Sequence, residues 1–145
     1  MVKQISVFLE NSKGRLANVT RLLAQAGVNL YAISIADTTQ FGILRAVVQD
    51  PEKAVAILRE GGYTANITTI LAVSVPVDIP GGLADVMEAL HGAEIGVEYV
   101  YSTNRRVGGK AAILCKVDDG EKASQVLGQA GIQLLNQQEL VQLSL

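Results

Sequence analysis

The chain of 145 residues repeats itself. Gly14, Leu16, Ala17, Val19, Leu23 and Ala26 recur 67 residues later as Gly81, Leu83, Ala84, Val86, Leu90 and Ala93. Glu52, Lys53 and Ala54 recur 69 residues later as Glu121, Lys122 and Ala123. A duplication at this period confines the fold to two similar units of about 70 residues each. We place them at 1–69 and 70–145, with the two extra residues of the second copy in a longer turn around Asn104 to Gly109.

Within each copy the hydrophobic period switches between two and 3.6. "VKQISVFLE" puts Ile5, Val7 and Leu9 on one face and Gln4, Ser6 and Phe8 on the other, a strand pattern. "GRLANVTRLLAQAG" steps Leu16, Val19, Leu22, Leu23 and Ala26 by three and four, an amphipathic helix closed by Gly27. "VNLYAISIA" and "ILRAVVQ" read as strands around the turn "DTTQFG". Asp50 and Pro51 open a second helix that the double glycine ends, and "YTANITTIL" returns as a strand. The second copy follows suit, with "IQLLNQQELVQL" as its last strand.

The order βαββαβ, twice, predicts an α+β protein of two tandem ferredoxin-like units. Each is an antiparallel sheet with both helices on one face. In the third strand Leu44, Ala46 and Val48 should face the helices and Ile43, Arg45 and Val47 the outside. That half-apolar outer face suggests a homodimer.

Composition removes several classes. Formal net charge is −2 and aromatic residues make up 4% with no Trp, which argues against a nucleic-acid or anionic-membrane surface. The strands that would carry RNA-stacking residues, "ISVFL" and "ILRAVV", are poor in aromatic and basic side chains. One cysteine, Cys115, and one histidine, His91, leave no Cys- or His-rich metal site. Cys115 alternates with Ile113 and Val117 and reads as a buried thiol, while His91 stands near a helix C-terminus, where a cation is favoured. Glu10 and Asn11 interrupt the apolar start where a signal peptide would continue, and no run is long enough to span a membrane, so a soluble cytoplasmic protein is expected. No nucleophile–base pair, carboxylate dyad or phosphate loop is present, so we expect no catalytic residue, no metal and no cofactor.

The join between the first strand and first helix, "ENSKGRL", returns as "VDIPGGL". Backbone N–H groups from Lys13 to Leu16 lack intrahelical acceptors there, and Gly14 lets another group approach them. The residues alone leave two readings: Asn11 or Ser12 caps the helix and water does the rest, or a small carboxylate binds.

The stretches "ENSKGRLANVTRLLAQAGVNL" and "DPEKAVAILREGGY" resemble an ACT domain, a small module that senses amino acids. Two markers carry the resemblance. One is the join Asn11-Ser12-Lys13-Gly14-Arg15-Leu16 with its copy Asp78-Ile79-Pro80-Gly81-Gly82-Leu83; the other is Gly27-Val28-Asn29-Leu30. The resemblance covers essentially the whole chain as two tandem ACT domains. It implies a small L-amino acid bound between ACT domains, held by Asn11, Ser12, Lys13, Gly14, Arg15, Leu16 and Asn29, with Tyr99 and Tyr101 shaping the side-chain pocket. Asp78, Gly81, Gly82 and Leu83 would form a second, degenerate site, because Gly96 replaces Asn29 there. A non-catalytic sensor is the reading that follows, with an enzyme of amino-acid metabolism as its partner. The competing reading is a regulatory subunit, like that of acetolactate synthase, whose site is vestigial. An enzyme on the same scaffold ranks behind both.

Overall fold

The computed structural model describes residues 1–10, 12–37 and 40–143, with side chains outside 104–107 and 143. The chain divides into two compact units, Lys3–Thr68 and Thr69–Leu145, the latter including Met1 and Val2.

The first unit contains β1 (Val2–Glu10), α1 (Arg15–Gln25), β2 (Leu30–Asp37), β3 (Phe41–Val48), α2 (Pro51–Glu60) and the opening residues of β4 (Thr64–Pro76). The strands lie in the order β2-β3-β1-β4, with β3 antiparallel to both neighbours. Alternation along β1 buries Ile5, Val7 and Leu9, and the register sets Val7 opposite Leu44 and Ile5 opposite Ala46. These side chains meet Val19 and Leu23 of α1 and Ala54, Val55 and Leu58 of α2 in one cluster. Local chemistry sets the helix ends. Asp50 accepts the Lys53 N–H at 3.1 Å, and Pro51 stands where the missing N–H costs nothing. Past α1, Gly27 takes φ +73° while Val28 N–H donates to the Leu23 carbonyl at 2.9 Å.

The outer face of this sheet is less open than alternation implies. Val47 and Gln4 are fully buried, and Ile43 and Arg45 are half-buried.

The second unit repeats the plan with the rest of β4, then α3 (Gly82–Gly92), β5 (Val97–Val107), β6 (Lys110–Val117), α4 (Gly120–Gln129) and β7 (Leu134–Leu135). β4 pairs with β6 on one side and β7 on the other, and β5 pairs with β6. Leu71, Val73, Ile113, Cys115 and Val117 form its core with Val86 and Leu90 of α3 and Ala123 and Leu127 of α4. Burial pushes the Cys115 thiol up to about 11, so it is a packing residue rather than a nucleophile. Asp119 caps α4 as Asp50 caps α2, accepting the Lys122 N–H at 3.1 Å.

Two expectations are corrected. The extra pair of residues does not lengthen the turn. β5 runs on to Val107, its register against β6 shifts between Ser102 and Arg106, and the turn is Gly108 and Gly109 alone. Nor is "IQLLNQQELVQL" one strand. Only Leu134 and Leu135 pair with β4, and Gln137–Leu143 forms a further helix, α5. Asn136 ends the strand by capping that helix, its Oδ1 accepting the Glu139 N–H at 2.8 Å. Leu140 is fully buried outside the core cluster between sheet and helices, and α5 packs against β5.

Candidate functional site

In the first unit the chain leaves β1 at Glu10 and enters α1 at Arg15 through a left-handed Gly14, φ +85°. A left-handed cap favours glycine because a Cβ there crowds the neighbouring carbonyl. Ser12 N–H donates to the Glu10 carbonyl at 2.8 Å, and Asn18 N–H makes the first helical bond, to Gly14, at 2.9 Å. Glycine has no side-chain acceptor, and no described side chain caps the helix. The positive end of the α1 dipole is thus left with main-chain donors around Leu16, itself 40% exposed. Asn11 lies outside the described residues, and Ser12 and Lys13 are exposed beside the turn.

Opposite charges flank these donors. Arg15 donates from Nη2 to Glu10 Oε2 at 3.2 Å and from Nε to Ser12 Oγ at 3.3 Å. Its Cζ stands 5.7 Å from the centroid of the Tyr63 ring. Tyr63, and then the charge of Glu10, raise the Arg15 pKa above its ordinary value. Asn18 Nδ2 in turn donates to the Tyr63 hydroxyl. Between Phe8, Arg15 and Tyr63 remains a shallow cleft of about 80 Å³.

The second join has the same backbone shape. Gly81 is left-handed at φ +109°, again without a side-chain cap, and Asp85 N–H donates to its carbonyl at 2.9 Å. Its neighbour Gly82 is glycine for a steric reason: a Cβ there would stand 2.7 Å from the Pro76 carbonyl oxygen. Asp78 packs its carboxylate against Gly109 in the β5–β6 turn, where Val77 N–H donates to the Gly109 carbonyl at 2.9 Å. Leu83 is 44% exposed.

A family model described as an ACT domain pair matches residues 1–144. The chain belongs to that family. Protein BT0572 from Bacteroides thetaiotaomicron has a similar structure, with TM-score 0.88 and 37% identity over 96% of this chain and 94% of its own. The regulatory subunit of aspartate kinase from Thermus thermophilus, in a ligand-free form, shares the fold at TM-score 0.65 and 20% identity, over 88% of this chain and 91% of that one. The regulatory subunit of aspartate kinase from Thermus flavus does so at TM-score 0.57 and 21% identity, over 88% and 91%. No curated protein matches the chain.

Within the first ACT domain the structure does not bring Asn29 to the join. Leu30 pairs with Val48, at the end of the sheet where β1 begins, whereas Glu10 pairs with Phe41 at the other end. The separation is about seven strand residues, roughly 23 Å. The position equivalent to Asn29 in the second ACT domain, Gly96, is enclosed by Asp118. Gly96 N–H donates to Asp118 Oδ2 and Asp118 N–H to the Gly96 carbonyl, both at 3.0 Å. Tyr99 and Tyr101 lie on one face of β5 with ring centroids 6.4 Å apart, both half-buried.

Glu10, Asn18 and Tyr63 are the residues of this cluster that the sequence reading left out. Glu10 was the legible one, an acid five residues before Arg15 across a glycine turn. Among the described residues no group of three or more His, Cys, Asp or Glu could hold a metal ion, and no helix is long and apolar enough to cross a membrane.

Proposed function

We propose that this ACT domain pair is a non-catalytic regulatory protein that binds a small L-amino acid at the α1 join of the first domain. The observation that carries the reading is the Gly14 cap, which leaves main-chain donors uncovered by any described side chain, between Glu10 and Arg15. An α-amino acid needs both polarities. Its carboxylate suits the donors around Leu16 and the Arg15 guanidinium, and its ammonium suits Glu10 and the Asn11 amide oxygen. Asn29, at the far end of its own sheet, takes no part in this site. Binding regulates a partner enzyme of amino-acid metabolism through unequal affinity for two arrangements of the protein.

Isothermal titration with the common L-amino acids tests this. Heat with at least one of them, weakened by Asn11→Ala, is expected. Silence with all of them overturns the reading.

A second reading has its own support. The Arg15 side chain lies across the first cleft, and two structures of the same fold are regulatory subunits of aspartate kinase. The protein would then be a regulatory subunit with a vestigial site. Copurification with a biosynthetic enzyme, without any amino-acid heat, distinguishes the two.

A further inference from the structure

The polar side chains that meet at the first join form a set, and no member of it recurs in the second domain. Arg15 reaches Glu10 and Ser12 and stands over the Tyr63 ring, and Asn18 Nδ2 donates to the Tyr63 hydroxyl. At the offset of 67, Glu10, Ser12, Arg15 and Asn18 become Val77, Ile79, Gly82 and Asp85, and at the offset of 69 Tyr63 becomes Ile132. Both joins keep their left-handed glycine, so the set is not needed to turn the chain. The cleft beside it is about 80 Å³. At the matching place in the second domain, where arginine is glycine and tyrosine is isoleucine, it is about 670 Å³.

The members do not contribute equally. The Arg15 and Glu10 side chains are 42% and 69% exposed, and an ion pair so open to water holds a long side chain only weakly. Tyr63 is the fixed element. It is 7% exposed, and it belongs to the core cluster of the first domain. Its ring faces the guanidinium, with Arg15 Cζ 5.7 Å from the centroid. Asn18 stands one turn along α1 from Arg15 and holds the hydroxyl oxygen at the other end of the same ring. In keeping with that order, Tyr63 raises the Arg15 pKa more than Glu10 does.

We propose that Tyr63 and Asn18 are positioning residues for Arg15. They act on a ligand only through the guanidinium, which they hold beside the α1 join where it meets the carboxylate of the bound amino acid. The inference rests on the sensor reading above and adds how that site is kept ready. A free arginine loses rotamer freedom when a ligand fixes it, and the loss is subtracted from the affinity. An arginine already laid on a buried ring loses less. The second join has glycine at this place and nothing to hold.

Isothermal titration of the full chain with the common L-amino acids is the experiment, read as a double-mutant cycle. For an amino acid that gives heat with the wild type, Tyr63→Phe, which keeps the ring, and Asn18→Ala each weaken binding about three- to tenfold. In the Arg15→Ala background the same changes have no further effect. Asn18 is exposed on α1, so its variant folds and carries the test by itself if Tyr63→Phe does not. NMR relaxation at Arg15 Nε, measured without ligand, is that of a held side chain in the wild type and of a mobile one in both variants. Wild-type affinity in either variant, or an equal loss with and without Arg15, overturns the proposal and leaves the sensor reading standing. An Arg15 Nε as rigid in the variants as in the wild type does the same. Silence of the wild type with every amino acid overturns the sensor reading and this proposal together.

Discussion

Arg15 and Gly82 hold the same place in the two repeats, each one residue past a left-handed glycine, and they give that place opposite uses. Arg15 spans to Glu10 and lies over Tyr63, whereas a Cβ at Gly82 would strike the Pro76 carbonyl oxygen. The first expected outcome concerns this pair. Arg15→Ala removes the guanidinium that the proposed ligand's carboxylate meets, so any amino-acid heat seen with the wild type should weaken about tenfold. Isothermal titration of the two proteins side by side is the check.

The two glycines should also respond differently to a methyl group. Gly14 has open space around its Cβ position, so Gly14→Ala meets only the left-handed strain, about 1 kcal/mol. Gly14→Asn should cost less, since asparagine tolerates that conformation. Gly82→Ala pushes on a backbone carbonyl and should cost about 3 kcal/mol. Urea unfolding of the three variants gives the order, and a Gly82→Ala protein as stable as Gly14→Asn would contradict the close approach.

Removing the α5 anchor should be expensive for so short a helix. Leu140 is fully buried, and truncating it to alanine should cost about 2–5 kcal/mol in thermal or urea unfolding. Asn136→Ala, which loses only the cap, should cost about 1 kcal/mol. Near-equal losses would mean that α5 is held by its cap and not by packing.

Cys115 gives a pH-dependent outcome. Its thiol is raised to about 11 in the folded chain by burial, while in the unfolded chain it ionises in the ordinary range. Below that range the protonated thiol suits both states and stability is unaffected. As pH climbs from the ordinary range towards 11, only the unfolded chain releases the proton, so stability falls. The urea midpoint should therefore drop between pH 8 and pH 10.5 in the wild type, and drop less in Cys115→Ala. A thiol reagent at pH 8 should label the native protein far more slowly than the urea-unfolded one.

Most of the fold could be read from the residues because local and global signals agree. The period-two run at Ile5, Val7 and Leu9 points inward as its alternation says, and Asp50 with Pro51 marks the start of α2 in sequence and structure alike. The tail misled for a physical reason. Leu134, Leu135 and Leu140 are equally apolar in a strand or a helix, and the deciding signal was polar: Asn136 followed three residues later by Glu139.

The site was legible only in part. The glycine join stands out because it is duplicated, but each cleft is assembled from segments distant in sequence: the end of a strand, the join, and the loop at Tyr63 or Ile132. The position of Asn29 follows from topology, since α1 must carry the chain back along the sheet before β2 can begin.

The left-handed glycines at 14 and 81 set the turn with main chain alone. The side chains that line the clefts below are thereby released from any duty in steering the polypeptide. Position 18 can become 85 with a change of charge, and position 63 can become 132 with a loss of its ring, while the corner stays as it was. Gene doubling on such a scaffold yields two clefts that can drift apart in size and charge without either copy having to learn again how to fold.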